Sequence, residues 1–352
     1  MLLTIFRVFI LGIALTPILS IAHHNVTNVY DSSRIIEVEG VVTKAIWRNP
    51  HIQVSLLVTN ENGQEEVWNT ASEAMSNLRR WNIDGEFIKP GDKVRLAGRP
   101  AHQGNGMYIS HVLTPAGIEV ILDRRNFESR WSENTITIAE SRKAEIGNPN
   151  FPELGIFRVW SHPDTLPLLF PEDAMANFDF TQYPLTESTI AAVAAYDKAR
   201  DNPIGNCQAK GMPTIMEAPY PNLYVQDGEN ILWHQEEQDT IRTIHMAPDA
   251  SAEGKPANKL GYSIGHWQDD HTLIVTTTDA TWKRYNTQGI PLTEDAVMLE
   301  RFVVAEDGSR LDYSINVTDP STFTRPHTAT TYWLYYADAE VGRYECLPEA
   351  EN

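Results

Sequence analysis

The feature that most constrains the fold of this 352-residue chain is an alternation of apolar and polar residues with a period of two. Such a period is typical of β-strands with one buried face, whereas an amphipathic helix repeats its apolar residues every three or four positions. Seven alternating segments separated by turn sequences occupy the C-terminal half: 231–235, 240–246, 260–267, 272–278, 297–305, 310–317 and 329–335. The chain is therefore predicted to be mainly β, with a large antiparallel meander that stays a sheet or closes into a barrel.

The N-terminal third follows a different order. Residues 23–123 contain three alternating segments, a short helical segment and two further alternating segments. Three strands, a helix and two strands is the order of the OB-fold, a small five-stranded barrel. An OB-fold-like domain is predicted for residues 23–123, with an open antiparallel sheet as the alternative.

The alternation stops between the two predicted domains. Residues 124–153 are rich in Asn, Ser and charged residues, which indicates a linker that partly packs on one domain. The second domain, residues 154–352, is predicted to carry the meander with one or two helices, one of them near 186–198. Thr186 is the expected N-cap of that helix.

The first 22 residues have the pattern of a secretory signal peptide. Arg7 precedes an apolar run, and Ser20-Ile21-Ala22 fits the small-x-small rule for cleavage after Ala22. The run is too short for a transmembrane helix. We therefore expect a periplasmic or secreted protein, in which Cys207 and Cys346 form a disulfide rather than remain two buried thiols.

The net charge of the chain argues against two classes of partner. A formal net charge of −19 repels nucleic-acid phosphates and anionic membranes, and no basic cluster offsets it. No second long apolar segment occurs, so no membrane span is expected. A small molecule or a metal ion is the expected ligand, and any protein partner is left open.

Cleavage after Ala22 would place His23 and His24 at the mature N-terminus. An α-amine and an imidazole of one residue form a chelate, and a nitrogen set of this kind suits Cu(II). His51, in the turn Trp47–His51, is predicted as a further ligand. The alternative is a solvated chain end that binds no specific metal.

Charged residues also interrupt apolar strands of the second domain. Glu300 and Arg301 are adjacent in a strand with two apolar faces, so each is expected to be buried and paired. Arg242 is the expected partner of Glu300, and His245 lies on the opposite face of its strand. These four residues are predicted to form either a general acid–base set or a structural ion-pair network.

Five short motifs follow one another in the N-terminal third: His23-His24, Tyr30-Asp31, Gly40-Val41-Val42, Trp47–His51 and Lys89–Asp92. In these motifs the chain resembles a family of exported bacterial domains of unknown function, which commonly has Ser where this chain has Asn25. The resemblance implies export and a small β-rich domain, and it implies no reaction. The remainder resembles uncharacterised exported bacterial proteins in Asp201-Asn202-Pro203, Gly211-Met212-Pro213 and residues 261–265.

Together these patterns predict an exported binding or accessory protein. It would hold a metal at the N-terminal histidines or an apolar small molecule in the second domain. The alternatives are an enzyme of unknown reaction that uses the charged residues of the second domain, and a scaffold for another exported protein. An open, solvent-reachable Glu300 would favour the enzyme, and a sealed Glu300 would favour the binding protein or a purely structural role.

Overall fold

The computed structural model describes residues 29–81, 83, 86–123, 127–137, 151–163, 169, 180–336 and 339–346. It confirms a mainly β chain with two barrels. The predicted signal peptide, residues 1–22, and the two histidines that follow it lie outside the described residues. Within the described ranges there is no helix with both the length and the apolar character needed to cross a bilayer.

The N-terminal barrel has five strands, β1 (Ile36–Ile46), β2 (Gln53–Thr59), β3 (Glu65–Ala71), β4 (Lys93–Pro100) and β5 (Gly106–Leu113). They are joined in the order β3-β2-β1-β4-β5, and a parallel pairing of β3 with β5 closes the barrel. The helix Met75–Arg80 lies between β3 and β4 in sequence. This is the predicted OB-fold order, and it encloses fully buried side chains such as Leu56, Leu78 and Leu96.

Part of the predicted linker belongs to this barrel. Two short strands, β6 (Glu119–Ile121) and β7 (Thr135–Thr137), extend the sheet beyond β5, and β7 lies inside the segment predicted as a linker. The buried carboxylate of Glu119 accepts the backbone N–H groups of Arg130, Trp131 and Ser132 at 2.8–2.9 Å. Residues 130–137 of the predicted linker therefore pack on the first domain, because the buried carboxylate of Glu119 holds this loop.

The C-terminal barrel has nine strands. They are β8 (Val159–Ser161), β9 (Asn222–Asp227), β10 (Asn230–Gln235), β11 (Thr240–His245), β12 (Tyr262–Asp269), β13 (Thr272–Thr278), β14 (Val297–Val304), β15 (Arg310–Thr318) and β16 (His327–Tyr335). The meander closes because β8 pairs with both β16 and β9. An odd number of strands cannot alternate in direction around a closed ring, and the one parallel pair here is β11 with β12.

Two helices and a disulfide complete the second domain. The helices are Glu187–Ala194 and Lys198–Asp201, and Thr186 caps the first by accepting the N–H of Thr189. Cys207 and Cys346 form the predicted disulfide, with a Cα–Cα distance of 5.8 Å. A disulfide of this kind is typical of an oxidising compartment.

Candidate functional site

A buried ion pair lies inside the C-terminal barrel. Arg242 on β11 and Glu300 on β14 are 2% and 0% exposed. Arg242 donates to the Glu300 carboxylate through both terminal nitrogens, one of them at 3.0 Å, and its Nε donates to Ser263 Oγ at 2.9 Å. Thr277 and Tyr313 complete the network, since each hydroxyl donates to Glu300, at 3.1 and 2.9 Å. Every charge in this cluster therefore has several partners.

The electrostatics of the cluster suit a structural network. Burial opposes the charge on Arg242, yet the adjacent Glu300 carboxylate holds the pKa of Arg242 above its usual value. Burial and the same carboxylate raise the pKa of Tyr313 well above the ordinary range, so its phenol stays a hydrogen-bond donor. A general acid or base must also reach a substrate, and Glu300 has no exposed surface.

The other two candidate residues, Arg301 and His245, lie away from the Arg242–Glu300 cluster. Arg301 is exposed on the outer face of β14, so the prediction that it is buried and paired is wrong. Successive residues of a strand point to opposite faces, and the face of Glu300 is the one that the barrel encloses. His245 is half-buried and stacks on Tyr262, with ring centroids 4.3 Å apart. The four residues thus do not form one constellation.

Two buried donors in the same barrel are absent from the sequence prediction. The hydroxyl of Tyr224 and the indole N–H of Trp333 have no hydrogen-bond partner among the described residues. The Tyr224 ring lies edge-on to Phe302 at 5.9 Å, and Trp333 packs against Tyr313 at 5.1 Å. Trp333 is an aromatic residue within a predicted strand, which hydrophobic packing explains equally well, and Tyr224 lies outside the predicted strands.

His51 lies two residues before β2 in the N-terminal barrel, and a hydrogen bond orients its ring. Its Nδ1 lies 2.8 Å from the backbone oxygen of Ser72. A carbonyl oxygen only accepts hydrogen bonds, so Nδ1 carries the proton and Nε2 holds the lone pair of the neutral ring. Histidines that bind metals commonly donate their other ring N–H to a carbonyl in this way.

The N-terminal segment joins the barrel on the side where His51 lies. Tyr30 pairs with Ala101, and its ring contacts Tyr108 at 5.6 Å. Tyr108 in turn lies edge-on to His51 at 6.2 Å. Only five peptide units separate His24 from Val29, the first described residue, and they span at most about 18 Å. Within the described residues no three His, Cys, Asp or Glu side chains group around a common metal position.

The motif that contains His51 also joins the two barrels. Asn49 is 3% exposed, and its Oδ1 accepts the N–H and the hydroxyl of Ser76 at 3.1 and 3.2 Å. Its Nδ2 donates to Glu236 of the second barrel at 2.9 Å. The backbone oxygen of Asn49 accepts the N–H of Glu345 at 3.3 Å, near the chain's end. The Trp47–His51 turn therefore has a structural role at the domain junction beside any role in binding.

The comparison with protein families concerns this first barrel. Residues 12–110 match the family model of DUF6152. It is a family of unknown function. The matched region contains the His23-His24 pair, the Trp47–His51 turn, strands β1 to β4 and the first part of β5. The predicted resemblance of the N-terminal part to a family of unknown function is confirmed. No curated protein matches the chain.

Proposed function

We propose that the mature protein is an exported metal-binding protein that holds Cu(II) on the DUF6152 barrel. The ligands are the α-amine and imidazole of His23, together with His24 and the Nε2 of His51. The observation that carries the proposal is the hydrogen bond between His51 Nδ1 and the backbone oxygen of Ser72 at 2.8 Å, an arrangement that metal-binding histidines commonly show.

Three further observations support this assignment. The path of the chain at Tyr30, beside Tyr108 and His51, brings the N-terminal histidines within chain reach of the third ligand. Export would create the free amine, because cleavage after Ala22 exposes His23. The Cys207–Cys346 disulfide fits the oxidising compartment in which Cu(II) is the stable copper ion. A binding role also agrees with the sealed state of Glu300.

Copper affinity tests the proposal. Isothermal titration of the mature protein is expected to show one Cu(II) site. Replacing His51 with alanine, or acetylating the α-amine of His23, should weaken binding at least about tenfold, or ~1.4 kcal/mol. His271→Ala is the matched control, since His271 is exposed in a turn of the other barrel. Equal affinity with and without the free amine would refute the proposed site.

The two buried donors of the C-terminal barrel favour a second candidate function, small-molecule binding inside that barrel. An indole N–H only donates, so the ligand of Trp333 must present an oxygen or nitrogen acceptor. The aromatic side chains around it suit an otherwise apolar molecule. Native mass spectrometry of the purified mature protein should detect a bound mass that decreases in Trp333→Phe. An identical spectrum for the variant and the parent protein would reject this candidate.

A further inference from the structure

We propose that the outer face of the C-terminal barrel binds a small organic carboxylate in a groove built around Arg301. The groove lies across β14, β15 and β16 and has a volume of about 320 Å³. This volume falls within the range of small-molecule sites in proteins. The site lies on the opposite side of the sheet from Glu300 and is independent of the proposed copper ligands.

The strand register explains the shape of this Arg301 groove. Arg301, Ser314 and Thr330 are paired across the three strands and form one row. Val303, Asp312 and Tyr332 form the next row on the same face. Side chains of neighbouring strands are about 5 Å apart within a row, so the short Ser314 between longer neighbours leaves a depression.

A fixed arginine neutralises the only carboxylate of the groove. Arg310 Nε donates to Asp312 at 2.8 Å, and one terminal nitrogen of Arg310 bonds the same oxygen. The guanidinium of Arg310 lies over the Tyr332 ring, 4.0 Å from its centroid. Such stacking limits the freedom of the arginine. Asp312 is thereby held by Arg310 and does not pair with Arg301.

The guanidinium of Arg301 is the positive charge that would bind the carboxylate of the ligand. Among the described residues this guanidinium forms no ion pair or hydrogen bond, and neither does the hydroxyl of Ser314 or Thr330. Two arginines and one aspartate leave the groove with a formal charge of +1 on a chain whose net charge is −19. A local positive site on so acidic a protein favours an anion there and disfavours a cation.

The donor arrangement points to a carboxylate with an apolar body. A guanidinium binds both oxygens of a carboxylate through two parallel N–H donors, and the adjacent hydroxyls of Ser314 and Thr330 add further donors. Val303 and Tyr332 offer apolar surface to the rest of the molecule. Because the side chains stand on paired strands, their spacing is set before the ligand arrives.

Binding of benzoate, with benzamide as its uncharged counterpart, tests this site. NMR titration of the full mature protein is expected to show benzoate-dependent shifts confined to β14–β16, with much smaller shifts for benzamide. Arg301→Gln should weaken benzoate binding about tenfold. Asp312→Asn removes the competing negative charge and should strengthen binding two- to fivefold, about 0.4–1 kcal/mol. Arg325→Gln, an exposed arginine outside the groove, is the matched control.

The outcomes separate recognition of a carboxylate from general charge effects. Loss of affinity in Arg301→Gln with an unchanged Arg325→Gln supports the proposal. Equal losses in both variants, equal binding of benzamide and benzoate, or no shifts at β14–β16 with folded protein would each overturn it. Copper binding by the same protein samples is expected to be unaffected, so failure here is distinguishable from failure of the metal site.

Discussion

Replacing Glu300 with alanine is expected to lower the free energy of unfolding by about 3–5 kcal/mol. The substitution leaves the Arg242 guanidinium buried without its counter-ion, with the hydroxyls of Ser263 and Thr277 and the Met216 sulfur as its remaining neutral partners. Burying a charge without a counter-ion costs far more than the pair itself contributes, because the desolvation penalty is no longer offset. Tyr313 also loses the acceptor of its hydroxyl.

Denaturant unfolding of Glu300→Ala, of Arg301→Ala and of single and double methionine variants of the ion pair measures this effect. Arg301→Ala is the control on the same strand, and it should change stability by less than about 0.5 kcal/mol because its side chain lies on the exposed face. Replacing Arg242 and Glu300 together with methionine should cost clearly less than the sum of the two single replacements. If Glu300→Ala and Arg301→Ala are equally stable, the ion pair does not stabilise the barrel.

Removing the disulfide is expected to lower the free energy of unfolding by a comparable amount. The bridge closes a loop with a sequence separation of 139 residues. In the chain-entropy model, a cross-link reduces the conformational entropy of the unfolded chain. Removing a cross-link that closes a loop of this length lowers the free energy of unfolding by about 5 kcal/mol. The double variant Cys207→Ser/Cys346→Ser should also loosen the C-terminal segment that contacts the first barrel through Tyr344 and Glu345.

Unfolding curves with and without reductant check this prediction. The parent protein should shift to a lower denaturant midpoint on reduction, whereas the serine variant should not respond to reductant. Backbone hydrogen exchange should show faster exchange at Glu345 in the variant, since its N–H bonds to Asn49 across the junction. Equal midpoints for oxidised and reduced parent protein would contradict the expected contribution.

The sequence by itself determined the class of the fold and several of its elements. Period-two alternation is a local property, because neighbouring side chains of a strand face opposite sides whatever lies beyond them. The turn signals then defined the strand order of the first barrel, and Thr186 marked the start of a helix through its own side-chain chemistry. With only two cysteines in the chain, one pairing was possible within it, so the disulfide was expected from the composition and from the predicted export.

The tertiary structure alone decided which face of each strand the barrel encloses. Both faces of β14 carry apolar residues, including Leu299, which is 48% exposed, so hydrophobicity did not tell Glu300 from Arg301. Barrel closure depends on β8, a three-residue strand far from its partners along the chain. The contact of Asn49 with Glu236 likewise joins residues separated by 187 positions. Such pairings arise from the packing of whole sheets, and no local pattern of residue types specifies them.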